Sequence, residues 1–203
     1  FLQEGGAHAV KLEGGTIIAE TIQKIVSTGI PVMGHIGLTP QSVNQLGGYR
    51  VQGKTAETTK IILDQAKKLE DAGCSFLLLE AMPREPAAII ANELKMPIYG
   101  IGAGDKVDGQ LVIMHDLIGL FWEFKSKFVK RYCEAGEIIQ TALEEYSQDV
   151  REGKFPTKEN FYAIKDEELE KLLGDSSWKY EKLRVENLAT PSHSVTPIAS
   201  RKK

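Results

Sequence analysis

The sequence predicts an α/β fold built on a parallel sheet, because short apolar runs alternate with helical stretches. Glycine or proline soon follows each run, and the runs span residues 9–13, 31–35, 76–80 and 97–101. Strands that alternate with helices form parallel sheets joined by crossover helices. The first strand is not followed by the GxGxxG turn of dinucleotide-binding sheets, and residues 100–104 do not match it either. The pattern therefore favours a barrel over an open doubly wound sheet.

Helical periodicity accounts for most of the remaining chain. Apolar side chains recur at helical spacing between the runs, and glycine often ends the segment. The predicted helices are residues 16–27, 58–71, 86–94, 110–115, 128–150 and a short one around 169–173. A fifth strand is predicted at residues 117–120, because a parallel crossover takes about a dozen residues.

Five parallel strands are too few for a closed barrel, which needs eight. We therefore expect a (β/α)8 TIM-type barrel that lacks its first strands here, with a C-terminal helix and tail. Residues 1–156 are its predicted C-terminal portion, residues 157–187 a helical extension and residues 188–203 a disordered tail rich in Thr, Ser and Pro. The chain opens like the end of a helix, with Gly5 or Gly6 as its C-cap. A further N-terminal portion is therefore expected.

Charge and composition give no support to several classes of partner. The net charge is −3, which gives no electrostatic reason to expect nucleic acid or an anionic membrane. No apolar run approaches the roughly 20 residues of a membrane helix. The only cysteines are Cys74 and Cys133, without a CxxC motif, which fits a reducing compartment.

Ionisable side chains close three of the apolar runs, and they point to an active site. Lys11 and Glu13 end the first run, His35 the second and Glu80 the third. The carboxyl ends of parallel strands meet at one edge of the sheet, where active sites form. Lys11 and Glu13 are two residues apart and so share a strand face. We expect all four side chains around one small pocket.

Several motifs resemble the ketopantoate hydroxymethyltransferase family, from residue 1 to about 156. They occur in the order VKLEGG, GHIGLTPQSVN, GGYRVQG, LE, GIGAG and DGQ. The resemblance implies a (β/α)8 barrel and a transferase of pantothenate biosynthesis. That transferase moves a hydroxymethyl unit from 5,10-methylenetetrahydrofolate to 3-methyl-2-oxobutanoate, an α-keto acid, giving 2-dehydropantoate. The resemblance further implies Mg²⁺ as cofactor and a homo-oligomer, usually a decamer.

The same resemblance assigns roles to the strand-end residues. It implies that Lys11 contacts the substrate carboxylate, that Glu13 is a ligand of Mg²⁺, and that His35 lies close to the substrate. Glu80 matches the carboxylate proposed as general base. The family's two other metal-ligand aspartates and a substrate-binding serine lie on earlier strands that this chain does not include. No folate-binding residue is assigned.

Structural alternatives exist for each of these residues. Lys11 and Glu13 could form a simple ion pair, His35 could be a core histidine, and Glu80 could be a solvated charge. Residues 100–104 could serve only a tight turn, and Asp108 is expected to start a helix rather than bind a ligand.

Other residues and the protein as a whole also have alternatives. Gln110 is, like Asp108, expected at a helix start. The basic cluster of Lys125, Lys127, Lys130 and Arg131 is expected to be a solvated helix face. Alternatives for the whole protein are a Mg-dependent α-keto-acid carbon–carbon lyase and an inactive barrel fragment or interaction module. A cytoplasmic location is expected, or a mitochondrial one for a eukaryotic member.

Overall fold

A computed structural model describes residues 1–45, 47–121 and 123–174 of the chain. Its centre is one five-stranded parallel sheet in the order β1-β2-β3-β4-β5. The strands are β1 (Val10–Glu13), β2 (Val32–Gly37), β3 (Phe76–Glu80), β4 (Ile98–Ile101) and β5 (Gly109–Gln110). The predicted α/β class and the first four strands are therefore confirmed.

Three helices connect successive strands, namely α2 (Ala19–Ser27), α3 (Ala56–Asp71) and α4 (Arg84–Glu93). The helix α1 (Leu2–Gly5) precedes β1, and α5 (Met114–Leu117), α6 (Ala135–Arg151) and α7 (Asp166–Gly174) follow β5. Short 3₁₀ turns precede α2 and follow β2. The predicted C-cap at the N-terminus is confirmed, since α1 ends at Gly6 in a left-handed conformation with φ +64°.

The strand order places the helices on one face of the sheet. Each strand pairs with the next strand along the chain, and the order never reverses. Because parallel crossovers are right-handed, such an order winds the sheet in one direction and keeps its helices together. This is the winding of a (β/α) barrel, and a doubly wound sheet would require a reversal.

The hydrophobic core lies between the sheet and its helices. Alternate strand residues point into it, including Val32, Leu77, Leu79 and Ile98, all fully buried. They meet the apolar sides of α2, α3 and α4, where residues such as Ile22, Ala66 and Ile90 are equally buried. The intervening strand residues therefore face the opposite side of the sheet, and Lys11, Glu13, His35 and Glu80 belong to that set.

The prediction of a fifth strand at residues 117–120 is wrong, and so is the helix predicted at residues 110–115. The fifth strand is β5, which follows β4 after a compact loop. Asp108 aligns it, because its carboxylate accepts the backbone N–H of Ile98 at 2.8 Å while its own N–H donates to the Ile98 carbonyl at 2.9 Å. The assumption of a full-length crossover caused the error. Asp108 is therefore a strand-aligning residue and does not start a helix.

The long helix predicted over residues 128–150 begins only at Ala135. The preceding residues form a loop held by Arg131, whose guanidinium donates to the carbonyl of Phe121 at 2.8 Å and pairs with Glu134 at 3.1 Å. Gly119 lies in the same loop with φ +64°, and a Cβ there would lie 2.4 Å from the Cys133 carbonyl. These contacts stabilise a non-helical path before Ala135.

The chain divides into two compact units, Phe1–Glu134 and Ala135–Lys203. The second unit contains α6 and α7, and α7 lies within the predicted extension of residues 157–187. The predicted tail of residues 188–203 lies outside the described residues, so this division of domains stays a prediction. In the part of the chain that the structure describes, no helix has the length and apolarity needed to cross a membrane.

Truncation of a core side chain should destabilise the sheet. Leu79 is fully buried at the centre of β3, so Leu79→Ala leaves a cavity and should lower the free energy of unfolding by about 2–5 kcal/mol. Ile89, 48% exposed on α4, is the control, and Ile89→Ala should cost less than about 1 kcal/mol. Urea denaturation measures both, and equal losses would contradict the assigned core.

The two cysteines should react very differently with thiol reagents. Burial raises the pKa of the Cys74 thiol to about 11, whereas Cys133 is exposed. The reactive species is the thiolate, so the raised pKa keeps Cys74 protonated at pH 8. Iodoacetamide at that pH should label Cys133 in the native protein and Cys74 only after unfolding. Equal native labelling, read by peptide mass spectrometry, would show that Cys74 is accessible.

Candidate active site

Three of the predicted site residues meet at the carboxyl edge of the sheet. In the parallel register Glu13 of β1 pairs with His35 of β2, and Glu80 of β3 pairs with Gly37 of β2. Because Glu13, His35 and Glu80 point to the same side of the sheet, their side chains converge. The expectation that strand ends would gather these groups agrees with this placement.

His35 lies between the two carboxylates and is 1% exposed. Its Nδ1 is 3.5 Å from Glu13 Oε1, and its Nε2 is 3.1 Å from Glu80 Oε2. Neither ring nitrogen makes a hydrogen bond of acceptable geometry among the described residues, although the second distance alone would allow one. A misaligned hydrogen bond is weak, so the short contact with Glu80 does not satisfy the ring. A buried polar ring without aligned partners is costly, so a small shift or a bound molecule is needed to satisfy it.

Lys11 stands at the outer side of this cluster. Its Nζ is 3.9 Å from Glu13 Oε1, and its side chain is 48% exposed. So long and exposed a contact contributes little to stability. The ammonium is therefore available to a second anion, while Glu13 and Glu80, at 11% and 16% exposure, are mostly enclosed.

A loop of residues 38–53 closes over the same edge and is attached at several points. The backbone N–H of Leu38 donates to the Glu80 carbonyl at 2.9 Å, and that of Gln52 donates to the Ala81 carbonyl at 2.9 Å. Between them, the N–H of Gln41 donates to Glu13 Oε2 at 3.2 Å. Sequence reasoning missed Gln41, because a backbone donor leaves no mark in residue identity. The only available signal was Pro40, which starts a helical turn.

Two unusual backbone positions let the ends of β2 and β3 approach each other. Gly37 has φ +91°, and a Cβ there would lie 2.4 Å from the Glu80 carbonyl oxygen. Ala81, directly after Glu80, has φ +49°, a left-handed conformation that alanine rarely adopts. Backbone strain of this kind clusters at functional sites, and here it flanks the Glu80 side chain on both strands.

The described residues do not assemble a metal site. No group of three or more His, Cys, Asp or Glu side chains in them is arranged to hold an ion. Glu13 nevertheless offers an enclosed carboxylate, and Mg²⁺ often takes only one or two carboxylates beside water and substrate oxygens. The chemistry of Glu13 therefore fits one ligand of such a site.

Adding a methyl group at Gly37 should disturb this edge. Gly37→Ala combines left-handed strain with a clash against the Glu80 carbonyl, whereas Gly29, with φ +86°, has nothing within 4 Å of its Cβ position. Gly29→Ala therefore isolates the strain alone. We expect Gly37→Ala to lower the free energy of unfolding by about 1–3 kcal/mol more than Gly29→Ala. Equal values in urea denaturation would mean that β2 and β3 do not approach as described.

Comparison with known proteins identifies the family. A family model described as ketopantoate hydroxymethyltransferase matches residues 1–158. Proteins named 3-methyl-2-oxobutanoate hydroxymethyltransferase from Dehalococcoides mccartyi, Carboxydothermus hydrogenoformans and Clostridioides difficile are 50%, 49% and 46% identical over 172 residues. That alignment covers 85% of this chain and 62% of each relative. The chain belongs to the ketopantoate hydroxymethyltransferase family and spans about three-fifths of the length of these relatives.

Proposed function

We propose that the native protein transfers a hydroxymethyl unit from 5,10-methylenetetrahydrofolate to 3-methyl-2-oxobutanoate, giving 2-dehydropantoate for pantothenate synthesis. The observation that carries the proposal is the cluster of Glu13, His35 and Glu80 at the carboxyl edge of the sheet. A family match over residues 1–158 supports it. The relatives named above carry the name of this activity.

The reaction begins with the loss of a proton from C3 of the keto acid, next to its ketone. Glu80 is the proposed base, since it is enclosed, ends its strand and contacts a buried histidine. A positioned base contributes about 10²- to 10⁴-fold to the rate. Lys11 pairs with the substrate carboxylate and so orients C3 toward Glu80. The exposure of its ammonium and its long contact with Glu13 leave it able to do so.

Water hydrolyses 5,10-methylenetetrahydrofolate, breaking both C–N bonds of its methylene carbon and releasing formaldehyde and tetrahydrofolate. The enolate carbon then bonds to the formaldehyde carbon, and the alkoxide that forms takes up the proton held by Glu80. Keto acid, methylenetetrahydrofolate and water thus yield 2-dehydropantoate and tetrahydrofolate. His35 is placed to donate a hydrogen bond to a reacting oxygen, because its ring nitrogens have no aligned partner among the described residues.

Mg²⁺ is proposed as the cofactor, with Glu13 as one ligand. When bound, the ion would stabilise negative charge on the ketone oxygen as a Lewis acid. Gln41 holds Glu13 in place through its backbone N–H, at 3.2 Å from Oε2. The other carboxyl oxygen, Oε1, faces Lys11 and His35.

For the native protein as a whole we propose a closed (β/α)8 barrel. The one-directional strand order supports this, because β1 and β5 stand at the two ends of the sheet and are available for further strands. Uncovered sheet edges are liable to aggregate.

We further propose a homo-oligomer, a decamer by resemblance, without nucleic acid or membrane partners. The relatives are bacterial, which favours a cytoplasmic location and gives no support to a mitochondrial one.

Two alternatives receive less support. A Mg-dependent lyase acting on α-keto acids would use similar residues, but the matching family is one of hydroxymethyltransferases. An inactive fragment or interaction module would have no need for an enclosed histidine between two carboxylates.

Replacing the proposed base should strongly slow proton removal. In full-length protein, Glu80→Gln should lower kcat about 10²- to 10⁴-fold. It should equally slow the exchange of the C3 proton of 3-methyl-2-oxobutanoate with D₂O, followed by NMR without folate. Exchange isolates the proton step from the transfer that follows.

Glu93→Gln is the matched control for this experiment. Glu93 is a surface carboxylate on α4, 51% exposed, and its replacement should leave both rates unchanged. Near-normal exchange in folded Glu80→Gln protein would exclude Glu80 as the base.

A further inference from the structure

A groove of about 780 Å³ opens beside the turn that follows β4. Its walls include Gly102, Gly104, Val107, Asp108, Gln110 and Phe128. This volume lies within the usual range for small-molecule sites. Gly102 directly follows Ile101, which pairs with Glu80, and its carbonyl accepts the N–H of Met82 at 3.1 Å. The groove therefore begins at the same edge as the proposed base.

Phe128 gives the groove an aromatic wall. Its ring packs over Gly102, which has φ +65°, and a Cβ on Gly102 would lie 2.6 Å from the ring. The ring is still 45% exposed, while the next residue, Val129, is 5% exposed and anchors the segment. A flat ring system could therefore stack on Phe128.

Three lysines lie close to Phe128 in sequence, in the same loop. Lys125, Lys127 and Lys130 are exposed, and none of them takes part in an ion pair among the described residues. Arg131 differs, since its guanidinium bonds to loop carbonyls and to Glu134. The arginine thus shapes the loop. The Lys130 ammonium lies 4.9 Å from the centre of the Tyr132 ring, a contact that leaves its positive charge uncompensated, so the lysine charges can pair with an anion. The expected solvated helix face is therefore a loop beside the groove.

Hydrogen-bonding groups complete the lining. Asp108 uses Oδ2 to accept the Ile98 N–H, and the Gln110 amide nitrogen donates to the Gly104 carbonyl at 2.8 Å. Among the described residues nothing donates a hydrogen bond to the second oxygen of Asp108 or to the amide oxygen of Gln110, so both oxygens can act as acceptors. Asp105, also on the groove, is paired with Arg84, which offsets its repulsion of an anion.

We propose that this groove binds the folate co-substrate, with a ring of the folate on Phe128 and its glutamyl carboxylates on Lys127 and Lys130. The inference rests on the proposed function, which requires such a co-substrate. Reduced folates combine flat ring systems, an edge of N–H donors and an anionic tail of one or more glutamates. The groove offers an aromatic ring and acceptor oxygens for the first two parts, and the lysines of the loop that carries Phe128 supply cations for the third. It begins at the same edge of the sheet as Glu80.

The test is direct binding of tetrahydrofolate, without turnover, to full-length protein. Isothermal titration should give tighter binding of the triglutamate than of the monoglutamate. Lys127→Ala/Lys130→Ala should weaken the triglutamate about ten-fold and the monoglutamate less, since exposed charge contacts each contribute modestly. About 0.5 M salt should reduce the difference in triglutamate affinity between the wild type and this variant. The KM for 3-methyl-2-oxobutanoate should stay unchanged.

Lys68→Ala is the control. Lys68 is an exposed residue in the last turn of α3, at the opposite end of the sheet from the groove, and its loss should leave binding unchanged. Phe128→Leu should weaken both folates alike, because it removes the stacking surface.

The outcomes separate this inference from the proposed function. One outcome is that the wild type transfers the one-carbon unit while the double lysine variant binds the triglutamate as tightly as the wild type does. In that case the glutamyl carboxylates do not bind at Lys127 and Lys130, and the inference is wrong. A rise in keto-acid KM in place of weaker folate binding also overturns the inference. Folate binding that depends on the lysines, without any transfer by the wild type, would overturn the proposed function alone. No folate binding by the wild type overturns the inference directly.

Discussion

The parallel register of β1, β2 and β3 is the constraint on which the site depends. It sets Glu13 beside His35 and Gly37 beside Glu80. A slip of one residue in any of these strands would turn its ionisable side chain into the apolar core. The core side chains Val32, Leu77 and Leu79 therefore fix the register, and the register places the reactive groups. The stability of the sheet and the proposed chemistry therefore depend on the same three strands.

The edge of the sheet combines enclosure with strain. His35 is almost entirely buried between two carboxylates, without aligned hydrogen bonds among the described residues. Ala81 has a left-handed backbone conformation directly after Glu80. At Gly37 any side chain would clash with the Glu80 carbonyl oxygen. Such groups are expensive to maintain for structure alone. Their concentration at one edge fits the proposed active site, in which a bound ligand would complete these polar groups.

Sequence reasoning was reliable where a pattern reports burial. The alternation of apolar runs with helical stretches predicted the first four strands. The ionisable side chains at the ends of these runs predicted that Glu13, His35 and Glu80 lie at one edge of the sheet. It failed where tertiary contacts decide, as at β5, which depends on the backbone bonds of Asp108 to Ile98. It also failed at residues 128–134, where Arg131 bonds to loop carbonyls override a helical pattern. Gln41 was invisible because its contribution to the site is a backbone N–H.

The most direct test of this account is a crystal structure of the native protein with 3-methyl-2-oxobutanoate and Mg²⁺. We predict that the keto acid lies at the carboxyl edge of the sheet, with its carboxylate within hydrogen-bonding distance of Lys11 Nζ and its C3 facing Glu80. Glu13 should contact the metal ion, directly or through water. Substrate bound elsewhere, with Glu13, His35 and Glu80 remote from it, would contradict the account.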